Sequence, residues 1–212
     1  MFKAIFWDND GILVDTEPLF FKATSCILKD FGVTLTEDMY THNQLKRNTS
    51  AFDLVKDKGI NEEIILKARK ERDSLYEKFL KSEVLIINGV KETLEKLNKK
   101  FLMGIVTSSL KVHFDIIMKS AGIKNYFDFF IMAEDTEKHK PHPDQYLLAL
   151  RRTKLSPAEC LVIEDTERGV VAAKKAGLTC YAIPTELSRA NDFSLADKVL
   201  NSIIELPDIL FN

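Results

Sequence analysis

The chain has little that would tie it to a membrane, a nucleic acid or an oxidising compartment. No apolar run among its 212 residues approaches the ~20 needed to cross a bilayer. No basic excess offers a footprint for a polyanion: 30 Lys and Arg face 32 Asp and Glu, a net charge of −2. These absences predict neither a nucleic-acid nor a membrane partner. Cysteine is scarce. Cys26, Cys160 and Cys180 are odd in number and scattered, with no C-x-x-C pair and no zinc spacing. They read as reduced thiols, the last two in or beside apolar strand-like runs, and point to a cytoplasmic protein. The N-terminus passes from Lys3 and a few apolar residues straight into Asp8-Asn9-Asp10, which is not a signal-peptide pattern. There is no internal repeat and no low-complexity tract. No exposed apolar patch can be picked out, so a monomer is expected.

What is present is an ordinary globular composition, 45% hydrophobic and 29% charged. The length allows one large domain, or one domain with a smaller insert. Two rhythms divide the chain. Residues 17–83 are charge-rich and neutral overall, with twelve basic and twelve acidic side chains. They read as helices without strands. Leu19–Phe31 is a helix closed by Gly32, a further helix stops at Gly59, and Glu62–Leu80 carries Ile64, Ala68, Leu75 and Phe79 on one face. From residue 84 onward strands alternate with helices: strands at Leu102–Val106, Phe129–Met132, Cys160–Ile163, Thr179–Ile183 and, weakly, Lys198–Leu200, with helices between. That alternation implies right-handed crossovers and a parallel sheet. The N-terminal Lys3–Trp7 reads as one more buried strand.

In such a sheet ligands bind beyond the carboxyl ends of the strands. Those ends carry unusual residues. The first strand delivers Asp8-Asn9-Asp10-Gly11; two carboxylates this close repel, and each raises the other's pKa unless a cation or proton intervenes. A hard cation with oxygen ligands, Mg2+, answers that cost. After Val106 come Thr107-Ser108-Ser109, after Ile163 come Glu164-Asp165, and a polar loop after Met132 holds Lys138-His139-Lys140-Pro141-His142-Pro143. Taken singly, each is a turn, a helix cap or a solvated loop. Taken together, in this order and at strand ends, they suit phosphoryl transfer, which needs positioning and charge neutralisation more than covalent machinery.

These four segments, with Leu13-Val14-Asp15-Thr16-Glu17-Pro18-Leu19 behind the first, resemble the haloacid dehalogenase-like superfamily, in its sugar-phosphate phosphatase and β-phosphoglucomutase branch. The resemblance covers the chain nearly end to end. It implies an α/β fold, a Rossmann-like parallel-sheet core over 1–16 and 84–212 with an inserted all-helical cap over 17–83. It implies Asp8 as nucleophile, Asp10 as general acid and base, Thr107 as the phosphate-binding hydroxyl and Lys140 as the motif lysine. Ser108 and Ser109 join Thr107 and Lys140 as phosphate-binding candidates. Mg2+ would be held by Asp8, Asp10 through its backbone carbonyl, Glu164 and Asp165. The second aspartate matters, because branches that cleave carbon–halogen bonds lack it.

Four departures from the family pattern stand out, and the last two, Phe20 and Gln44–Thr49, bear on activity and favour a phosphatase. Trp7 stands for the usual phenylalanine, and Asn88-Gly89 for Pro-Gly at the return from the cap. Phe20 replaces a histidine that in the mutases helps position the acid/base aspartate, and Phe20 cannot hydrogen-bond. Gln44–Thr49 lacks the Gly-x-x-Arg by which mutases hold a second phosphate, for which Lys46, Arg47 or Arg72 would have to substitute. His42, His113, His139 and His142 show no ligand spacing, and the last two shape the Lys140 loop. The expected function is a Mg2+-dependent phosphatase acting on a small phosphorylated metabolite, a sugar or polyol phosphate, through an aspartyl phosphate. The alternatives are a β-phosphoglucomutase-like phosphomutase and a catalytically silent protein that binds phosphorylated ligands.

Overall fold

A computed structural model describes residues 1–41 and 50–211. His42 and Gln44–Thr49, including Lys46 and Arg47, lie outside the described residues. Six strands form one parallel sheet: β1 (Ala4–Trp7), β4 (Leu102–Val106), β5 (Phe129–Ile131), β6 (Cys160–Glu164), β7 (Thr179–Ala182) and β8 (Lys198–Val199), in the order β5-β4-β1-β6-β7-β8. β1 is central, with Phe6 in register with Gly104 of β4 on one side and Val162 of β6 on the other. The chain leaves β1 for β4 and later returns to β6 on its opposite flank. The order therefore reverses at the end of β1, where a crevice opens in such sheets.

The strands read as continuous apolar runs because both faces of the sheet are covered. Alternate side chains enter separate cores. Ile5, Trp7, Met103, Ile105, Leu161 and Ile163 pack on one face. Ala4, Phe6, Val106, Cys160, Val162 and Cys180 pack on the other. Trp7 is fully buried, so it serves packing as the strand pattern implies. Helices α5 (Val90–Leu97), α6 (Lys111–Ala121), α7 (Asp144–Thr153) and α8 (Glu167–Lys175) alternate with the strands, and α9 (Leu206–Phe211) ends the chain. No helix among the described residues is long and apolar enough to cross a membrane.

Between residues 17 and 83 the described regular elements are all helices, joined by turns and irregular segments: α1 (Glu17–Lys29), α2 (Glu37–Tyr40), α3 (Asp53–Lys56) and α4 (Glu62–Glu83). Pro18 opens α1 where its missing N–H costs nothing, and Asn61 caps α4 by accepting from Glu63 N at 2.7 Å. A third core, built on Leu28, Leu35, Tyr40, Phe52, Val55 and Ile65, lies within this stretch. Where the chain enters and leaves it, β2 (Val14–Asp15) pairs antiparallel with β3 (Leu85–Ile86).

The buried face of α4 differs from the expected one. Ile65, Ala68, Tyr76 and Leu80 are buried, whereas Ile64 is 49% exposed. Leu75 and Phe79 are partly buried at its edge. The face is turned by one residue because it serves two cores: Ile65 and Ala68 join the third cluster, Tyr76 and Leu80 the first. A pattern that counts only aliphatic and Phe positions passes over Tyr76.

Candidate active site

Asp8 follows β1 directly, and its N–H continues the ladder to Ile163 O at 2.9 Å. The chain then folds back, with Leu13 N and Val14 N both donating to Asn9 O. Gly11 sits in this turn at φ +86°. A Cβ there would lie 2.1 Å from Asp165 Oδ2, so both the backbone and the neighbouring carboxylate demand glycine. Asp165 comes from the end of β6, and Thr107 from the end of β4, where its N–H reaches Ile131 O. Lys140 arrives from the loop before α7. The four segments expected at the strand ends thus meet at the crevice beside β1.

Lys140 is 5% exposed; its ammonium donates to Asp8 Oδ1 at 2.7 Å and Val106 O at 2.8 Å, and pairs with Glu164 Oε1 at 2.7 Å. The ammonium is thus engaged within the site on three sides. The carboxylate of Asp10 is elsewhere. Thr16 Oγ1 donates to its Oδ1 at 2.5 Å; Ser109 Oγ at 2.7 Å and Thr107 Oγ1 at 3.2 Å donate to its Oδ2. Thr107 Oγ1 in turn accepts from Ser109 N. The Ser108 hydroxyl is turned to Gln145 Oε1 at 3.0 Å, and Gln145 pins the turn by donating to Thr107 O at 2.6 Å.

Three carboxylates, of Asp8, Glu164 and Asp165, gather so that one oxygen of each lies within 4.8 Å of the others. All three are buried. Among the described residues, Glu164 Oε2 and Asp165 Oδ1 have no hydrogen-bond partner. Burial pushes Asp8 up to about 7, with the charges of Glu164 and Asp10 adding to the rise and Lys140 opposing it. Burial also drives Asp165 well above the carboxylate range, helped by Asp8 and Glu164. For Lys140 burial acts the other way, but Asp8 and Glu164 outweigh it and hold the ammonium above the usual lysine value. One buried ammonium, joined by the Arg168 charge acting on Asp165, faces three buried acids, and two orphaned oxygens mark where further positive charge would fit. Oxygen donors of this kind suit Mg2+. The side chain of Asp10 stands apart from this trio.

A cavity of about 260 Å³ opens over these groups. Its floor includes Asp8, Asp10, Thr107, Lys140 and Asp165, and Arg168 also lines it. It is also lined by Glu17 and Phe20 from α1, Arg72, Asp73 and Tyr76 from α4, and His113 from α6. The Arg72 guanidinium lies over the Phe20 ring, 4.3 Å from its centroid, while its Nε donates to Asp73 at 2.7 Å. Phe20 meets Tyr76 edge-on at 5.1 Å, and Tyr76 meets His113 edge-on at 5.0 Å. Thr16, Gln145, Tyr146, Tyr76 and His113 carry no role in the sequence reading. Of these only Thr16, inside the motif behind Asp8, had a signal that pointed to it.

The family model for haloacid dehalogenase-like hydrolases matches residues 5–183. The phosphorylated carbohydrates phosphatase of Thermotoga maritima is 32% identical over 188 residues, covering 83% of this chain and 82% of that protein. Hexitol phosphatase B of Escherichia coli is 26% identical over 218 residues, covering 96% and 93%. The crystal structure of CbbY from Rhodobacter sphaeroides in complex with phosphate superposes with a TM-score of 0.81 at 23% identity, covering 97% of this chain and 96% of that one. That likeness is one of fold. With its sheet order, its crevice at β1 and a family match over most of its length, the chain belongs to the haloacid dehalogenase-like hydrolases.

Proposed function

We propose that this hydrolase is a Mg2+-dependent phosphatase of a small phosphorylated sugar or polyol, working through an aspartyl phosphate on Asp8. The observation that carries the reading is the division of labour between the two aspartates. Asp8 is held by an ammonium inside an acidic cluster, whereas Asp10, two residues on, is held by three hydroxyls facing the same cavity. An Asp8 oxygen attacks phosphorus, and the P–O bond to the leaving group breaks as Asp10 gives that oxygen its proton. Asp10 then takes a proton from water, whose oxygen attacks phosphorus. The acyl–phosphate bond opens, and inorganic phosphate and the Asp8 carboxylate are released. Lys140 holds Asp8 in place. Asp8, Glu164 and Asp165, with the Asp10 backbone carbonyl, would hold Mg2+, which when bound neutralises charge on the phosphoryl oxygens.

Residues 17–83 act in this reading as a cap hinged at the β2–β3 ribbon, whose Phe20, Arg72 and Tyr76 close over the leaving group and limit water. Relatives named for phosphorylated carbohydrates and hexitols support the substrate class. Phe20, stacked under Arg72 and unable to hydrogen-bond to Asp10, favours transfer to water over the mutase cycle. The test is phosphate release from a panel of sugar, polyol and nucleoside monophosphates, with Mg2+ and with EDTA, for the native chain and Asp8→Asn. Mg2+-dependent release that Asp8→Asn abolishes supports the reading. An active Asp8→Asn variant rules out the nucleophile, and conversion of β-glucose 1-phosphate with a bisphosphate activator, without release, would make it a mutase.

A further inference from the structure

Tyr146 lies on α7, outside every motif segment, and is fully buried. Its ring belongs to the core on one face of the sheet. A phenylalanine would serve that packing alone, because a buried phenol must find a partner for its O–H. The partner here belongs to the site. Tyr146 donates to Glu164 Oε1 at 2.5 Å, and the Lys140 ammonium stands over the Tyr146 ring, 5.2 Å from its centroid. One side chain therefore touches both Lys140, which holds Asp8, and Glu164, which pairs with Lys140.

We propose that Tyr146 is a positioning residue of the active centre: its O–H fixes the Glu164 carboxylate, and through it Lys140 and Asp8. Glu164 is confined from two sides. Its Oε1 accepts both Lys140 and Tyr146. Behind it runs α8, so close that a Cβ on Gly169 would lie 1.9 Å from Oε2. With Oε1 occupied twice and the backbone against the carboxylate, Oε2 is left unpartnered within the acidic cluster. Without the phenol, a single ammonium shared with Asp8 and Val106 O would be the only donor on Oε1. The carboxylate could then rotate, carrying Lys140 and the cation-facing oxygen with it. Hydrogen bonds of this outer kind set ligand orientation, and their loss typically costs about 10–100-fold in metal affinity or activity.

This inference rests on the assignment of Asp8, Lys140 and Glu164 to the active centre. The experiment is Tyr146→Phe in the full chain, which removes one oxygen and keeps the ring beneath Lys140. The expected result is a folded variant whose half-saturating Mg2+ rises about tenfold and whose kcat falls about tenfold. KM for the phosphate ester should stay within about twofold, since the phenol touches no substrate. In the background of Glu164→Gln the same substitution should have little further effect, because it acts through that carboxylate. Unchanged kcat and Mg2+ dependence would overturn the proposal, and so would effects additive with Glu164→Gln. A Tyr146→Phe chain that fails to fold overturns it too, since the phenol would then be a structural group. Asp8→Asn, measured alongside, separates the outcomes: if it stays active the site assignment has failed, and if it is dead while Tyr146→Phe is normal only Tyr146 has been misread.

Discussion

The acidic cluster predicts a link between pH, divalent cation and stability that can be worked through before any substrate is known. Burial lifts Asp8 from an ordinary 3.8 to about 7 in the folded chain without metal. A carboxyl raised on folding stabilises the folded state while it is protonated. That contribution is complete below the unfolded value and is lost as pH rises through the folded one. Between about pH 5 and about pH 8 the metal-free chain should therefore lose about 3 kcal/mol through Asp8 alone. For a chain of this length each kcal/mol moves Tm by about 2–4 °C, so the fall is on the order of 10 °C. Asp165, raised for the same reason, acts in the same direction. A bound divalent cation replaces the protons, so the stabilisation given by Mg2+ should grow over the same interval. The assay is thermal unfolding with EDTA and with saturating Mg2+, from about pH 5 to about pH 8, for the native chain and Asp8→Asn. The two native curves should diverge as pH rises, and Asp8→Asn should lose most of the divergence. Native curves that stay parallel, or an Asp8→Asn chain that diverges as strongly, would refute the reasoning.

Other substitutions separate the parts of the site. Lys140→Met leaves three buried carboxylates without their ammonium; metal-free stability should drop by about 3–5 kcal/mol in urea unfolding, with Mg2+ restoring part of it. Ser109→Ala removes the 2.7 Å donor to Asp10, so kcat should fall at least about tenfold while half-saturating Mg2+ stays put, because the Asp10 side chain stands apart from the metal trio. Gly11→Ala drives a Cβ into Asp165 at a positive φ, and Mg2+ titration should show weakened binding together with a lower Tm. Arg72→Ala opens the wall above Phe20, and the panel assay should show KM rising for the preferred ester more than kcat falls.

The strand-end motifs were legible because each combines a polar cluster with an abrupt end to an apolar run, and the parallel order brings such ends together. Asp8, Asp10, Thr107, Lys140, Glu164 and Asp165 all sit where that logic puts them. Three kinds of information were not legible. The face of α4 was misplaced by one residue, because Tyr76 does not register in an aliphatic pattern although it is an anchor of the first core. Gln145 and Tyr146 follow the Lys140 loop on an amphipathic helix, where a tyrosine reads as packing and a glutamine as surface; only the fold shows that one pins Thr107 and the other Glu164. His113, which lacked any ligand spacing, enters the cavity wall through a ring contact with Tyr76 across more than thirty residues of chain.

The substitution of Phe20 takes on a different meaning once the surroundings of Asp10 are known. A missing histidine implies at first that the acid/base aspartate has lost a support. Yet both oxygens of that carboxylate are already supplied by Thr16, Thr107 and Ser109, at 2.5–3.2 Å. Two of these donors follow β4 and the third precedes α1, so among the described residues the hydroxyls that position Asp10 all come from outside the helical insert. What Phe20 contributes is a flat apolar surface on which Arg72 rests and against which Tyr76 packs. Around the cavity the insert sets Phe20 and Tyr76, the stacked Arg72 and the carboxyls of Glu17 and Asp73, while the hydroxyl donors to Asp10 come from the sheet side. An enzyme that must admit water to its phosphorylated form gains from that division. In the proposed mechanism an insert that withdraws between the two half-reactions would leave Asp10 with the hydroxyl donors that orient it toward the incoming water.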